Sequence, residues 1–350
     1  MRPALCLVLV LAAGGRPARA DGVVEEVSAG TMPQASSAPS ASWLTDKLAG
    51  IWEPGDDWQV RLDLAGTRYV HVRADDVAVA NLSVEYDAGA HWIARLAAGG
   101  SPASSIDTAV PVKAVNARGN AVAGDATLAS TTSSLSGAAW LGYETAGDGD
   151  AETTANLGAT VTALTTREQI ASIAGRNGQT ITLDQVRAFC AMQPCNNGLG
   201  AALDGATVPL DQVVVTAGLS EQLFQVTELG LDGAYYFYDR DPTQVATISI
   251  TRAGQTLTSG GIGSAPVRYS LTPSVIQRIG PVMVMVSAAY SKYVDDQGWA
   301  VDAALRVQVK IALGDHRLKL WAKLGGSRDV DAMGTVSKAG SVALGTQYTW

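Results

Sequence analysis

Residues 298–350 constrain the fold more than any other stretch. From Trp299 the chain sets Trp299, Val301, Ala303, Leu305, Val307, Val309 and Ile311 against Asp302, Ala304, Arg306, Gln308 and Lys310. A period of two belongs to a β-strand. After Gly314-Asp315-His316 it resumes, with Leu318, Leu320, Ala322 and Leu324 opposite Arg317, Lys319, Trp321 and Lys323. It returns a third time, where Val342, Leu344, Thr346, Tyr348 and Trp350 oppose Ser341, Ala343, Gly345, Gln347 and Thr349.

Strands of soluble sandwiches run about five or six residues. These keep their alternation for roughly ten, the length that crosses a bilayer at a tilt. The last strand carries Tyr348 and Trp350 on its apolar face and ends there. On these residues the chain resembles bacterial outer-membrane β-barrels, whose final strand has a terminal aromatic and a second aromatic two residues earlier. The resemblance implies a Gram-negative outer membrane as the location and its lipid as surroundings. It also implies that Tyr348 and Trp350 are the signal read by the barrel-assembly machinery.

The N-terminus fits that location. Arg2, the apolar run Leu5 to Ala13 and the small-residue boundary Ala18-Arg19-Ala20 read as a signal peptide over 1–20, too short in its apolar part to span a membrane as a helix. Its removal takes Arg2, Arg16 and Arg19 and leaves 22 basic residues against 33 acidic, a net charge of −11. Such an acidic chain argues against a nucleic-acid partner. Mean hydropathy is +0.12, yet beyond the signal no apolar run of about eighteen residues exists. Apolar content dispersed as alternation suits a barrel wall.

Residues 21–41, small and polar with Pro33 and Pro39, read as a flexible lead-in, and 42–350 as the barrel. Strands are expected near 43–52, 58–67, 77–86, 92–96 and up to Tyr143. Others follow at 155–162, 213–219, 229–237, 246–250, 267–275 and 282–290. With the three C-terminal strands the fold class is an all-β transmembrane antiparallel barrel of about fourteen strands. Residues 99–122 lack clear alternation and read as a loop, and 255–263 read as a mobile loop by composition. Thr165 with Glu168, and Thr182 with Gln185, have capping-box spacing. They predict a helical insertion at about 166–205, with helices near 166–174 and 183–193. Six strands counted before it place it on the same side as the termini. Cys190 and Cys195 sit in it; in an oxidising compartment they read as a small disulfide loop, with a redox or metal site as the sharper alternative.

Ten aromatics gather near strand ends: Trp58, Tyr69, Trp92, Tyr143, Tyr235, Tyr269, Tyr290, Trp299, Tyr348 and Trp350. They are candidates for girdles at the headgroup level, with cross-strand packing as the alternative. His71, His91 and His316 lie apart, with no nucleophile motif beside any of them, so no enzyme, catalytic residue, metal or cofactor is expected. Asp148, Asp150 and Glu152 read as a solvated acidic loop rather than a Ca²⁺ site. The face that avoids lipid carries the pore-lining candidates Arg268, Arg306, Lys310, Arg317, Lys319, Lys323, Asp63, Glu85, Asp232 and Asp302, joined by Glu228. Charges there line a wet pore or pair into a closed network. The leading expectation is a porin-like channel for small hydrophilic solutes, although the large trimeric porins have more strands and a long constriction loop. The strand count resembles the fatty-acid transporter family, whose helical N-terminal hatch is missing here; this ranks hydrophobic-substrate transport second, beside a closed barrel acting as an anchor or surface-interaction protein.

Overall fold

The computed structural model describes residues 22–32, 41–70, 77–89, 91–115, 121–145, 151–175, 180–182, 184, 206–242, 247–252, 255–260, 266–314 and 316–350. The strands are β1 (Gly22–Met32), β2 (Ala41–Gly55), β3 (Trp58–Val70), β4 (Val77–Asp87), β5 (Trp92–Val115), β6 (Ala121–Glu144), β7 (Ala151–Gly175), β8 (Thr180–Thr182), β9 (Ala206–Leu223), β10 (Thr227–Tyr238), β11 (Thr247–Arg252), β12 (Gln255–Gly260), β13 (Val267–Ile279), β14 (Val282–Tyr293), β15 (Gly298–Leu313), β16 (His316–Asp331) and β17 (Val336–Thr349).

Fourteen of them form one closed antiparallel barrel. Each wall strand pairs with its neighbours in order, and β1 pairs with β17 to close the ring. Short β8 adds to the far end of β7, and β11 and β12 form a separate hairpin. Closure leaves no unpaired wall edge, the condition for backbone to cross hydrocarbon. No helix among the described residues is long and apolar enough to cross a membrane. Strands β10 and β14 have 12 residues each. Such a strand extends ~40 Å, and at a barrel tilt of ~40° it rises about 30 Å, the thickness of a bilayer's hydrocarbon core.

Burial identifies the two faces. Ser28, Ala49, Ser83, Thr166, Ala300 and Gln308 are all buried, and register places all of them on one parity. The opposite parity carries exposed Leu82, Leu96, Leu157, Val161, Leu219 and Leu344. Small and polar side chains on the concave face with large apolar ones on the convex face invert a soluble protein, because lipid is the outer solvent.

The start of β1 and the end of β17 lie on one rim, where Val23 and Trp350 exchange two backbone hydrogen bonds of 3.1 Å. The connections there are short: 56–57, 88–91, 145–150, 224–226, 280–281 and 314–315. Longer connections, 176–205 and 239–266, join strands at the other rim. Short turns mark the periplasmic side of such barrels. β7, the seventh wall strand, carries 166–175 up to the far rim, so the placement expected for this stretch, on the rim where β1 starts, is corrected.

Several expectations are corrected. Residues 22–32 are not a flexible lead-in but β1, paired with β2 and β17 along its length. Residues 166–174, expected as a helix, continue β7, with Thr165 opposite Ser133 and Pro209. Beyond Leu164 neither face keeps an apolar stripe, so period two fades where the wall rises out of lipid. Much of 99–122 belongs to β5 and β6, and Gln255–Gly260 is β12 rather than loop. Backbone pairing needs no side-chain alternation where both faces meet water. The expected count of fourteen is met with a different membership: β1 joins the wall, and Thr247–Arg252 leaves it for the hairpin. Residues 1–21 with the expected signal, His71, Asp148, Asp150, Cys190, Cys195 and nearly all of 183–193 lie outside the described residues.

Candidate functional site: the barrel lumen

Alternation alone decides which side chains enter the lumen. On the rim where β1 starts, outward rings pair as Trp58 with Tyr86 at 4.5 Å, Trp92 with Tyr143 at 4.8 Å and Tyr348 with Trp350 at 5.4 Å. Near the far rim Tyr235 meets Phe237 at 4.8 Å, Tyr269 meets Tyr290 at 6.2 Å, and Tyr290 meets Trp299 at 6.3 Å. These two belts bracket the apolar band, as amphipathic rings do at a membrane interface. His91 and His316 pack on Tyr143 and Tyr348, within the lower belt. Tyr69 departs from expectation. It stands opposite Trp43 on the inner face, because β2 and β3 carry their alternation through Leu44 and Arg68 on the outside.

Of the expected lumen residues, Asp63, Glu85, Asp232, Asp302, Arg306, Lys310, Arg317, Lys319 and Lys323 all have inward parity. Arg268 does not follow them. A register shift between Val267 and Tyr269 turns it, and its guanidinium donates to the Tyr235 hydroxyl on the outer belt at 3.3 Å. Asp63 is held by Arg61 at 2.7 Å, and Glu85 by Arg95 across the β4–β5 pair. Glu228 accepts from Arg278 at 2.8 Å, and Glu26 lies 3.8 Å from Lys47. Partners such as Arg95 and Lys47 were missed in sequence, although the outward positions of Trp92, Ala94 and Leu96 assign Arg95 inward by parity.

Among the described residues, two inner patches lack this neutralisation. On the wall from β6 to β13, Trp140, Asn156, Thr216, Asp232, Ser270 and Thr272 line a recess of about 390 Å³. Glycines make room for it. A Cβ at Gly218 would sit 2.5 Å from Asp232 Oδ1 and 2.6 Å from Asn156 Nδ2, and one at Gly158 would meet Thr216 Oγ1 at 2.8 Å. Arg95 lies over the Trp140 ring at 5.5 Å. Trp140 is invisible in sequence as a lumen residue because it stands in a run of small residues, yet its parity follows from Leu141 and Tyr143.

The second patch is on β15 and β16. Lys310 stands directly opposite Lys319, and Arg306 directly opposite Lys323, with Gln308 and Trp321 paired between them. The Arg306 guanidinium lies 4.7 Å from the centre of the Trp321 ring. That ring lies flat against Gly345 of β17, where a Cβ would collide with it. Farther up the same strands, Asp302 and Asp329 are diagonal neighbours, and Asp329 accepts from the Tyr293 hydroxyl at 2.9 Å. Among the described residues no cluster of three His, Cys, Asp or Glu forms a metal-sized site.

A closed fourteen-strand wall with an apolar convex face and two aromatic belts is a membrane-spanning architecture. The chain has the fold of outer-membrane β-barrels. Solved structures of the same fold include the CymD monoaromatic hydrocarbon channel, with a TM-score of 0.56 at 9% identity over 94% of this chain and 88% of that one. The Pseudomonas putida toluene transporter TodX aligns with a TM-score of 0.50 at 11% identity, covering 94% of this chain and 89% of that one. At these identities the likeness is one of fold. No protein-family model matches the sequence, and no curated relative matches it.

Proposed function

We propose that this barrel is a passive outer-membrane channel for small apolar or weakly polar molecules, with monoaromatic compounds as the favoured class. No catalytic step forms part of this reading. The observation that carries it is the set of rings on the inner face. Trp43 and Tyr69 stand opposite each other across β2 and β3, Trp140 borders the recess, and Trp321 lies on Gly345. Aromatic faces lining a passage stack favourably on flat apolar solutes. The descriptions of the two solved barrels, a monoaromatic hydrocarbon channel and a toluene transporter, lend support to the same class.

The test compares intact Gram-negative cells with and without the protein for uptake of labelled toluene and labelled xylose. Faster toluene uptake with unchanged xylose uptake is expected. The reverse pattern would restore the hydrophilic porin reading. Unchanged uptake of both would favour a closed barrel with an anchoring or interaction role.

A further inference from the structure

We propose that the inner face of β15 and β16 is a binding site for an oxyanion, a carboxylate or phosphate group on a solute in the lumen. Like charges placed directly opposite each other destabilise a sheet. This wall does so twice in succession, with Lys310 against Lys319 and Arg306 against Lys323, and Arg317 follows toward the periplasmic rim.

Nothing described nearby neutralises them. Among the described residues no carboxylate lies within ion-pair distance of these five cations. The nearest in register is Glu26, separated from Lys319 by Gln347 and itself 3.8 Å from Lys47. Asp302 and Asp329 sit farther up the wall, and Asp329 is engaged with Tyr293. Elsewhere in the lumen Asp63, Glu85, Glu26 and Glu228 each have a basic partner. The cationic excess is therefore local to one wall of a protein whose overall charge is negative.

Unsatisfied donors are the second, independent observation. Arg306 Nε and Trp321 Nε1 are buried and have no hydrogen-bond partner. Arg306 spends one terminal nitrogen on Gln308 Oε1 at 3.4 Å, and Gln308 is itself buried. Buried N–H groups without an acceptor are rare in folded proteins, and an oxyanion supplies acceptors and charge together. The Arg306 guanidinium is held on the Trp321 ring, which Gly345 admits, so its orientation is fixed before any ligand arrives. The lysines supply mobile point charges around that fixed fork.

Folded protein in detergent is titrated calorimetrically with inorganic phosphate, benzoate and toluene, and its reversal potential is measured in a planar bilayer under a chloride gradient. Binding of phosphate or benzoate is expected, and binding of benzoate alone assigns the oxyanion to an aromatic solute. The double variant Arg306→Gln/Lys323→Gln is expected to weaken that binding by roughly tenfold or more, the loss of charged hydrogen bonds, while Lys338→Gln on the outer face leaves it unchanged. Any open channel is expected to favour anions and to lose that preference in the double variant. Absence of both phosphate and benzoate binding, or equal binding by the double variant, would overturn the site. Toluene serves as the separate arm: its failure counts against the proposed solute class and leaves the oxyanion site standing.

Discussion

At the scale of single residues, the lumen is shaped by what glycine leaves out. Trp321 can lie across β17 only because residue 345 has no Cβ, and Arg306 then rests on its ring. Gly345→Ala should therefore push the indole off the wall and cost about 1–3 kcal/mol, the usual penalty of overpacking. Urea unfolding in detergent measures it, and the loss should shrink when Trp321 is also replaced by Ala. Replacing one member of a like-charge pair works the other way. Lys319→Gln should stabilise the barrel by about 0.2–1 kcal/mol, the scale of a direct cross-strand interaction, in the same assay. Sequence reads the inward parity of Arg306, Lys319 and Lys323 without difficulty. It cannot read that they lack carboxylate partners among the described residues, because partners come from strands set beside them by closure.

At the scale of elements, β1 carries a lesson about what hides a strand. Its residues Val24, Glu26, Ser28 and Gly30 face inward, and Val27, Ala29 and Thr31 outward, and no apolar side chain larger than valine precedes its last residue, Met32. Composition makes it look like a tether, whereas two neighbours make it a wall strand. Deleting residues 22–32 would leave β2 and β17 with unpaired edges in hydrocarbon, at several kcal/mol for each lost backbone partner. The expected outcome is loss of the faster-migrating folded form when unboiled samples run on detergent gels. The capping-box spacings of Thr165 and Thr182 mislead for a related reason. Local side-chain signals weigh most when a segment is alone, and residues 165–175 are backed by ladders to β6, β8 and β9.

At the scale of the molecule, the two faces of one strand answer to different solvents. Val161 points out from β7 with 54% of its surface exposed, and Thr160 beside it points into the lumen. Val161→Arg should cost about 2–4 kcal/mol, the penalty for a cation facing mid-bilayer lipid, whereas Thr160→Arg should cost far less. Refolding equilibria into lipid vesicles separate the two. That contrast is written in the alternation itself, so the sequence alone determined the barrel class, the lipid-facing set and most of the inward set. Period two is local, and every residue carries its own share of it. Only the tertiary structure decided that residues 22–32 close the ring, that Tyr69 and Trp43 meet inside, and that 166–175 continue a wall strand to the rim opposite the start of β1. Only it decided which lumen charges are paired. Each of these depends on which strand lies beside which, and a closed sheet joins residues more than three hundred positions apart, a relation that no local pattern encodes.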